Sequence, residues 1–340
     1  MKAAMYIGDG QIEVVERDSV APSPHEVQID VAFVGICGTD LHILHGAMDG
    51  RVTTPAIIGH EMSGTIAALG DSVTGWNVGD NVTVMPLDWD DKCPACQEGN
   101  SHICQNLNFV GIDSPGSLQQ KWNVRSDLLV RLPADMDLAT AALVEPVAVA
   151  VHDVRRANLR KADRAIVLGG GPIGLLIATV AKAEGADVVV VEPDSHRRTM
   201  IRDLGHQTMD PGNENVAKLV DDWTYGAGAD VVFEVSGAAA AVTSATSLAK
   251  VRGTVVIVAI HGEPRAVDLK QVFWRELSIV GARVYDRSDF ERSVELIADG
   301  RVPTGAIISA IVPLARADEA FKTLEAGQAM KVLVNCQESS

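Results

Sequence analysis

The chain has 340 residues, 47% hydrophobic and 22% charged, with a formal net charge of −16. That length predicts about two domains with cores of ordinary size. The acidic excess argues against a nucleic-acid binder, which meets phosphates with basic groups.

Residues 1–15, MKAAMYIGDGQIEVV, predict two short strands around a Gly-Asp-Gly turn. They lack the long apolar region of a signal peptide, so a cytoplasmic location is expected. Val27-Gln28-Ile29-Asp30-Val31 alternates with period two, the pattern of a half-buried strand. Asn81-Val82-Thr83-Val84 and Leu128-Leu129-Val130 read similarly, so residues 1 to about 150 are expected to be mostly β. Beyond about 150 the rhythm changes. Ala165-Ile166-Val167-Leu168 is a short, fully apolar strand, followed by a glycine-rich turn and a helix expected over 175–184. Gly169, Gly170, Gly171, Pro172 and Gly174 break this apolar stretch, which makes it a poor membrane span, and no membrane partner is expected. A strand at 188–191, a helix at 195–204 and strands at 231–235 and 255–260 continue the series. Apolar strands alternating with helices predict a parallel sheet covered on both faces. From about 286 the chain resumes with a helix at 290–298 and a strand, Val332-Leu333-Val334.

The turn after the first buried strand reads Gly169-Gly170-Gly171-Pro172-Ile173-Gly174 and fits G-x-G-x-x-G. The first glycine permits the tight turn, the second lets backbone approach a pyrophosphate, and the third lets helix and strand pack closely. The helix N-terminus then offers free N–H groups to the phosphates. Glu192 ends the next strand eighteen residues after Gly174. An acid there is expected to bond the ribose 2′-hydroxyl and to repel a 2′-phosphate, which favours NAD over NADP. Arg197 and Arg198 lie just beyond and weaken that preference.

The N-terminal half carries a thiol, an imidazole and carboxylates of the types that zinc accepts. Cys37 lies in Gly35-Ile36-Cys37-Gly38-Thr39-Asp40-Leu41-His42, His60 and Glu61 in Gly59-His60-Glu61, and Glu145 in Val144-Glu145-Pro146. A catalytic zinc keeps three protein ligands and an open position, and acts as a Lewis acid on a substrate oxygen. The five cysteines are Cys37, Cys93, Cys96, Cys104 and Cys336; an odd number with three clustered argues for metal ligation over disulfides.

With Gly64 and Gly79-Asp80-Asn81-Val82, these motifs resemble those of the zinc-containing medium-chain dehydrogenases along essentially the whole chain. Within that family the chain looks most like the branch of sorbitol, 2,3-butanediol and threonine dehydrogenases. The resemblance implies an α/β protein with a GroES-like, mostly-β catalytic domain (1–150 and 286–340). It also implies a doubly wound parallel-sheet (Rossmann) NAD domain (151–285). It makes Cys37, His60 and Glu61 ligands of a catalytic zinc, with Glu145 a fourth ligand or one step away through water. Thr39 would stand beside the alcohol oxygen and His42 at the end of a proton relay. Val258-Ala259-Ile260 and Val284-Tyr285 would line the nicotinamide, while His261 belongs to the loop. The family's second, structural zinc lobe has four cysteines; here Cys93, Cys96 and Cys104 remain and Asp90 stands at the fourth place, with Asp88, Asp91 and His102 as rivals. The activity implied is transfer of hydride between NAD and a secondary alcohol, diol or polyol, giving a ketone. The alternatives are an L-threonine 3-dehydrogenase and a zinc-free NADPH quinone reductase. The partners implied are a small-molecule alcohol or ketone and other copies of the chain, in a homotetramer or dimer.

Overall fold

Valine-rich runs that face apolar neighbours on both sides become the parallel strands of the second half. In the computed structural model, which describes residues 1–327 and 329–338, they belong to a unit of residues 146–285; residues 1–145 and those from 286 on form the other. Among the described residues the 146–285 unit has one six-stranded parallel sheet. Its order is Gln207–Met209, Asp187–Val191, Arg164–Leu168, Ala229–Glu234, Ala249–Ile257 and Ser278–Gly281. The strand first in sequence lies inside the sheet, and the order reverses beside it, between Arg164–Leu168 and Ala229–Glu234. Open α/β sheets bind ligands at such a point. Ile166, Leu168, Val189, Val191, Val232 and Val255 fill the core on one side.

Two expected bounds shift for identifiable reasons. The helix predicted over 175–184 begins three residues earlier, as Pro172–Ala183, because a proline at the first helical position is pre-set for the helix. The strand predicted over 255–260 is Ala249–Ile257. Its ladder stops where the Val258 and Ala259 N–H groups both turn to the Glu234 carbonyl, at 2.9 and 3.1 Å. The far edge of this sheet is also distinctive. Ser278–Gly281 pairs on one side only, and the preceding helix Leu269–Arg275 leaves Leu269, Phe273 and Trp274 about 70% exposed.

The other unit is mostly β. Lys2–Gly8 and Gln11–Glu16 form the hairpin expected from the Gly-Asp-Gly turn. A larger sheet runs Ile308–Pro313, Lys331–Asn335, Glu26–Gly35, Glu61–Leu69, Asn81–Val84 and Leu129–Arg131, with Lys121–Arg125 also paired to the long strand Glu26–Gly35. This order sets Lys331–Asn335 and Glu61–Leu69 on either side of the strand that leads into Cys37. Among the described residues no helix is long and apolar enough to cross a membrane.

Candidate active site

Three ligand atoms, one each from Cys37, His60 and Glu61, lie within 4.8 Å of one another. Local folding explains how they meet. Cys37 ends the turn after Glu26–Gly35 and precedes the helix Gly38–Leu44, whose Asp40 carboxylate accepts a hydrogen bond from the Cys37 N–H at 2.9 Å. His60 and Glu61 enter the neighbouring strand, where Gly35 pairs with Glu61. A Cβ on Gly35 would overlap the Glu61 carboxylate, so this glycine gives the carboxylate its space.

The surroundings are buried and rich in negative groups. Asp40 is fully buried and faces His60 Nδ1 at 3.7 Å. Burial disfavours protonated His60, but Asp40, Cys37 and Glu145 outweigh it and push its pKa up to about 10. Burial also raises the pKa of Asp40. The cluster therefore favours a positive charge at its centre, and its sulfur, nitrogen and oxygen donors suit zinc. Lys331, on the adjoining strand, meets both Glu61 oxygens at 2.6 and 2.8 Å and donates to the Ile36 carbonyl at 3.2 Å. A carboxylate has about four lone-pair positions, so Glu61 can hold Lys331 and still ligate. Glu145 is buried in the first turn of Val144–Arg156; it stands outside the group of three yet acts electrostatically on His60 and Lys331. Thr39 is half-buried and His42 exposed on the helix after Cys37. The Phe109 ring packs edge-on against His60, with centroids 5.2 Å apart.

Asp90, Cys93, Cys96 and Cys104 form a second group. Cys93 Sγ lies 3.5 Å from Cys96 Sγ and 3.7 Å from Cys104 Sγ, while Asp90 Oδ1 is 3.5 and 3.4 Å from Cys96 and Cys104. Zinc bonds of about 2.3 Å to sulfur and 2.1 Å to oxygen give tetrahedral edges of about 3.8 and 3.6 Å, so the group fits that ion. Asn106 and the N–H groups of Cys93 and Lys92 hold the Asp90 carboxyl well below the usual range. Two rivals are engaged elsewhere: Asp88 with Arg125 and Asn108, and His102 with Asp286.

In the 146–285 unit, Gly169 has φ +112°, and a Cβ on Gly174 would overlap the Gly169 carbonyl. A Cβ on Gly171 would meet nothing, leaving its backbone open to a ligand. Pro172 and Ile173 open the helix behind this turn. Glu192 is buried; its carboxylate accepts from Gly170 N–H at 2.7 Å and Asp194 N–H at 2.8 Å, which ties the turn to the end of the second strand. Arg198 is committed to the Glu192 and Pro193 carbonyls and to Asp210 at 2.6 Å, while Arg197 is half-buried. Ile260 is 84% exposed just beyond Val258 and Ala259; Val284 has a positive φ and Tyr285 is buried.

Asp40 and Lys331 are absent from the sequence-based candidates. The available signals were an acid three residues after Cys37, at a helix start, and a lone lysine leading an otherwise apolar strand.

Comparison with known proteins gives two family matches. Residues 23–134 match the alcohol dehydrogenase GroES-like domain, and residues 172–299 match the zinc-binding dehydrogenase family. The chain is 50% identical to the 2-dehydro-3-deoxy-L-galactonate 5-dehydrogenase of Pseudoalteromonas atlantica, over 99% of each chain. It is 32% identical to a sorbitol dehydrogenase of Halalkalibacterium halodurans, over 96% of each. A zinc-binding dehydrogenase of Sinorhizobium meliloti solved with NADP has a TM-score of 0.93 at 30% identity, covering 98% of both chains. The 2R,3R-butanediol dehydrogenase of Bacillus subtilis has a TM-score of 0.90 at 29% identity, covering 98% of this chain and 99% of that one.

Proposed function

Because the chain belongs to the zinc-containing medium-chain dehydrogenases, we propose that it oxidises a secondary alcohol of a polyol or hydroxylated sugar acid to a ketone with NAD. The observation that carries the metal part of this reading is the convergence of half-buried Cys37 with buried His60 and Glu61 in surroundings that favour positive charge. The sugar-acid option is supported by the Pseudoalteromonas relative, identical at half of its positions.

Cys37, His60 and Glu61 are the residues that would hold the catalytic zinc, with Glu145 one step further out. Zinc held there would supply Lewis acidity toward a substrate hydroxyl, and NAD would supply the hydride acceptor. Asp40 orients the His60 ring, and Lys331 steadies Glu61. The Thr39 hydroxyl would take the substrate's proton into a relay that ends at His42, which is exposed on the same helix and open to solvent. The 169–174 turn receives the pyrophosphate, with Gly171 giving the close approach. Glu192 keeps free lone pairs for ribose hydroxyls beyond the two backbone donors that fix it. Val258, Ala259, Ile260, Val284 and Tyr285 form the nicotinamide side. NAD is favoured because Arg198 is already bound to two carbonyls and Asp210 and is not spare for a 2′-phosphate.

The same reading gives a second, structural zinc on Asp90, Cys93, Cys96 and Cys104, and places the protein in the cytoplasm, where thiols stay reduced. It also gives a homo-oligomer, a dimer or tetramer, assembled through the face of Leu269, Phe273 and Trp274 beside the open edge of Ser278–Gly281. Large exposed apolar side chains beside an open strand edge are typical of interfaces.

The test is NAD reduction screened over 2-dehydro-3-deoxy sugar acids, sorbitol, xylitol, 2,3-butanediol and threonine, with zinc content measured on the same protein. Cys37→Ser should lose catalytic zinc and turnover while NADH affinity stays within about twofold, because the coenzyme groups lie in the other unit. Full turnover by a Cys37→Ser protein lacking that zinc would overturn the mechanism.

A further inference from the structure

Glu234 ends the strand next to the one that feeds the 169–174 turn, and it is fully buried. Burying a carboxylate costs several kcal/mol unless donors compensate it. One of its oxygens, Oε1, accepts from the Ser236 N–H at 3.1 Å, the Ser236 hydroxyl at 2.9 Å and the Gly237 N–H at 2.9 Å. The other, Oε2, faces His261 Nε2 at 3.3 Å and accepts no hydrogen bond among the described residues. The Glu234 carbonyl takes the Val258 and Ala259 N–H groups. On the other side Ser236 packs against Gly169, where an added Cβ would come within 3.0 Å of the Ser236 Cβ. Glu234 therefore joins the 236–237 turn to the loop from Val258 to His261, and Ser236 of that turn lies against the first glycine of the dinucleotide turn.

We infer that Glu234 is a positioning residue for the nicotinamide half of the coenzyme, acting through the 258–261 loop, with His261 as its second partner. The fold alone does not call for a charge here: neighbouring strands end in Leu168 and Ile257, both apolar. What the carboxylate adds is a fixed distance between the two loops that flank the switch point of the sheet. Three donors of the 236–237 turn fix one carboxylate oxygen, and the other is thereby held facing His261 of the 258–261 loop at 3.3 Å. Ile260, at the exposed tip of the loop, inherits its position from this anchorage.

The inference rests on the proposed coenzyme reading, and the experiment separates the two. Affinities for NADH and for ADP-ribose, which lacks the nicotinamide, are measured by titration of the full-length holoenzyme and its variants. Glu234→Gln and His261→Asn should each weaken NADH about tenfold, the usual loss when a charge-assisted contact is removed. ADP-ribose affinity should stay within about twofold, and the double variant should be less than additive because the two groups act as a pair. Equal losses for both ligands, or lowered thermal stability with unchanged NADH affinity, would overturn the positioning role. A native protein that binds neither ligand would instead overturn the coenzyme reading itself. Glu234→Leu extends the series where it folds, and the two milder variants suffice without it.

Discussion

Lys331→Met should expose how much of the metal site rests on one buried ion pair. Glu61 and Lys331 are 1% and 2% exposed, with the ammonium 2.6 Å from the nearer carboxylate oxygen. At an effective dielectric near 20, that separation corresponds to about 6 kcal/mol of attraction. Desolvation offsets part of this, and breaking such a pair by removing one member typically costs about 3–5 kcal/mol. Methionine keeps the volume but leaves the Glu61 charge without its partner. The zinc-free protein should therefore lose about 3–5 kcal/mol, a fall in Tm of about 10 °C for a unit of this size. The pH sets the window for the measurement. Burial opposes protonated Lys331, but Glu61 and Cys37 outweigh it and raise its folded-state pKa. The stabilisation is thus fully present below the unfolded value of about 10.4 and disappears only as pH rises through the higher folded value. Denaturant unfolding at pH 8, with and without chelator, reads the effect directly. Zinc on Glu61 should shrink the penalty, since the metal supplies the missing positive charge. A zinc-free Lys331→Met protein within about 1 kcal/mol of the parent would refute the argument.

Other outcomes follow from the remaining sites. Glu192→Ser should reduce the preference for NAD over NADP by about tenfold or more, measured as the ratio of kcat/KM values, because the charge that repels a 2′-phosphate is gone. An unchanged ratio would assign the discrimination elsewhere. Asp90→Ala should lower bound zinc from about two to about one per chain, while Asp90→Cys should keep both, since a thiolate replaces the carboxylate. Full zinc in the alanine variant would remove Asp90 from the ligand set. Trp274→Glu combined with Phe273→Glu should yield a smaller species by light scattering, and an unchanged mass would place the contact on another face.

Legibility in the sequence followed the range of each interaction. The 169–174 turn could be read because its glycines answer local demands: a positive φ at Gly169 and close backbone approach at Gly174. The order of strands and helices in this half was similarly readable from short apolar runs. The strand end at Ile257 was not, because Val255 to Ile260 is apolar throughout and the stop is set by the Glu234 carbonyl on a neighbouring strand. Asp40 and Lys331 escaped for the same reason. A lone acid in a helix start reads as a cap and a lone lysine beside valines as a solvated edge, while the partner of Lys331 lies 270 residues away. Asp90 was singled out by its place three residues before Cys93, with Asp88, Asp91 and His102 as rivals. The geometry adds its contacts with Cys96 and Cys104 and the engagement of Asp88 and His102 with other residues.

The lobe's composition also governs how it meets oxidants. A lobe with four cysteines can close into two disulfides, whereas this one has three thiols, with separations of 3.5 and 3.7 Å measured from Cys93. Any internal disulfide among them leaves one sulfur over, and an unpaired thiol near a disulfide invites exchange with another molecule. With Asp90 as the fourth group, metal loss is thus tied to cross-linking between chains. Protein stripped by chelator and left in air should run as disulfide-linked dimers on a non-reducing gel, and zinc-loaded protein as single chains. Asp90→Cys should suppress the ladder by giving the odd sulfur a partner within its own lobe.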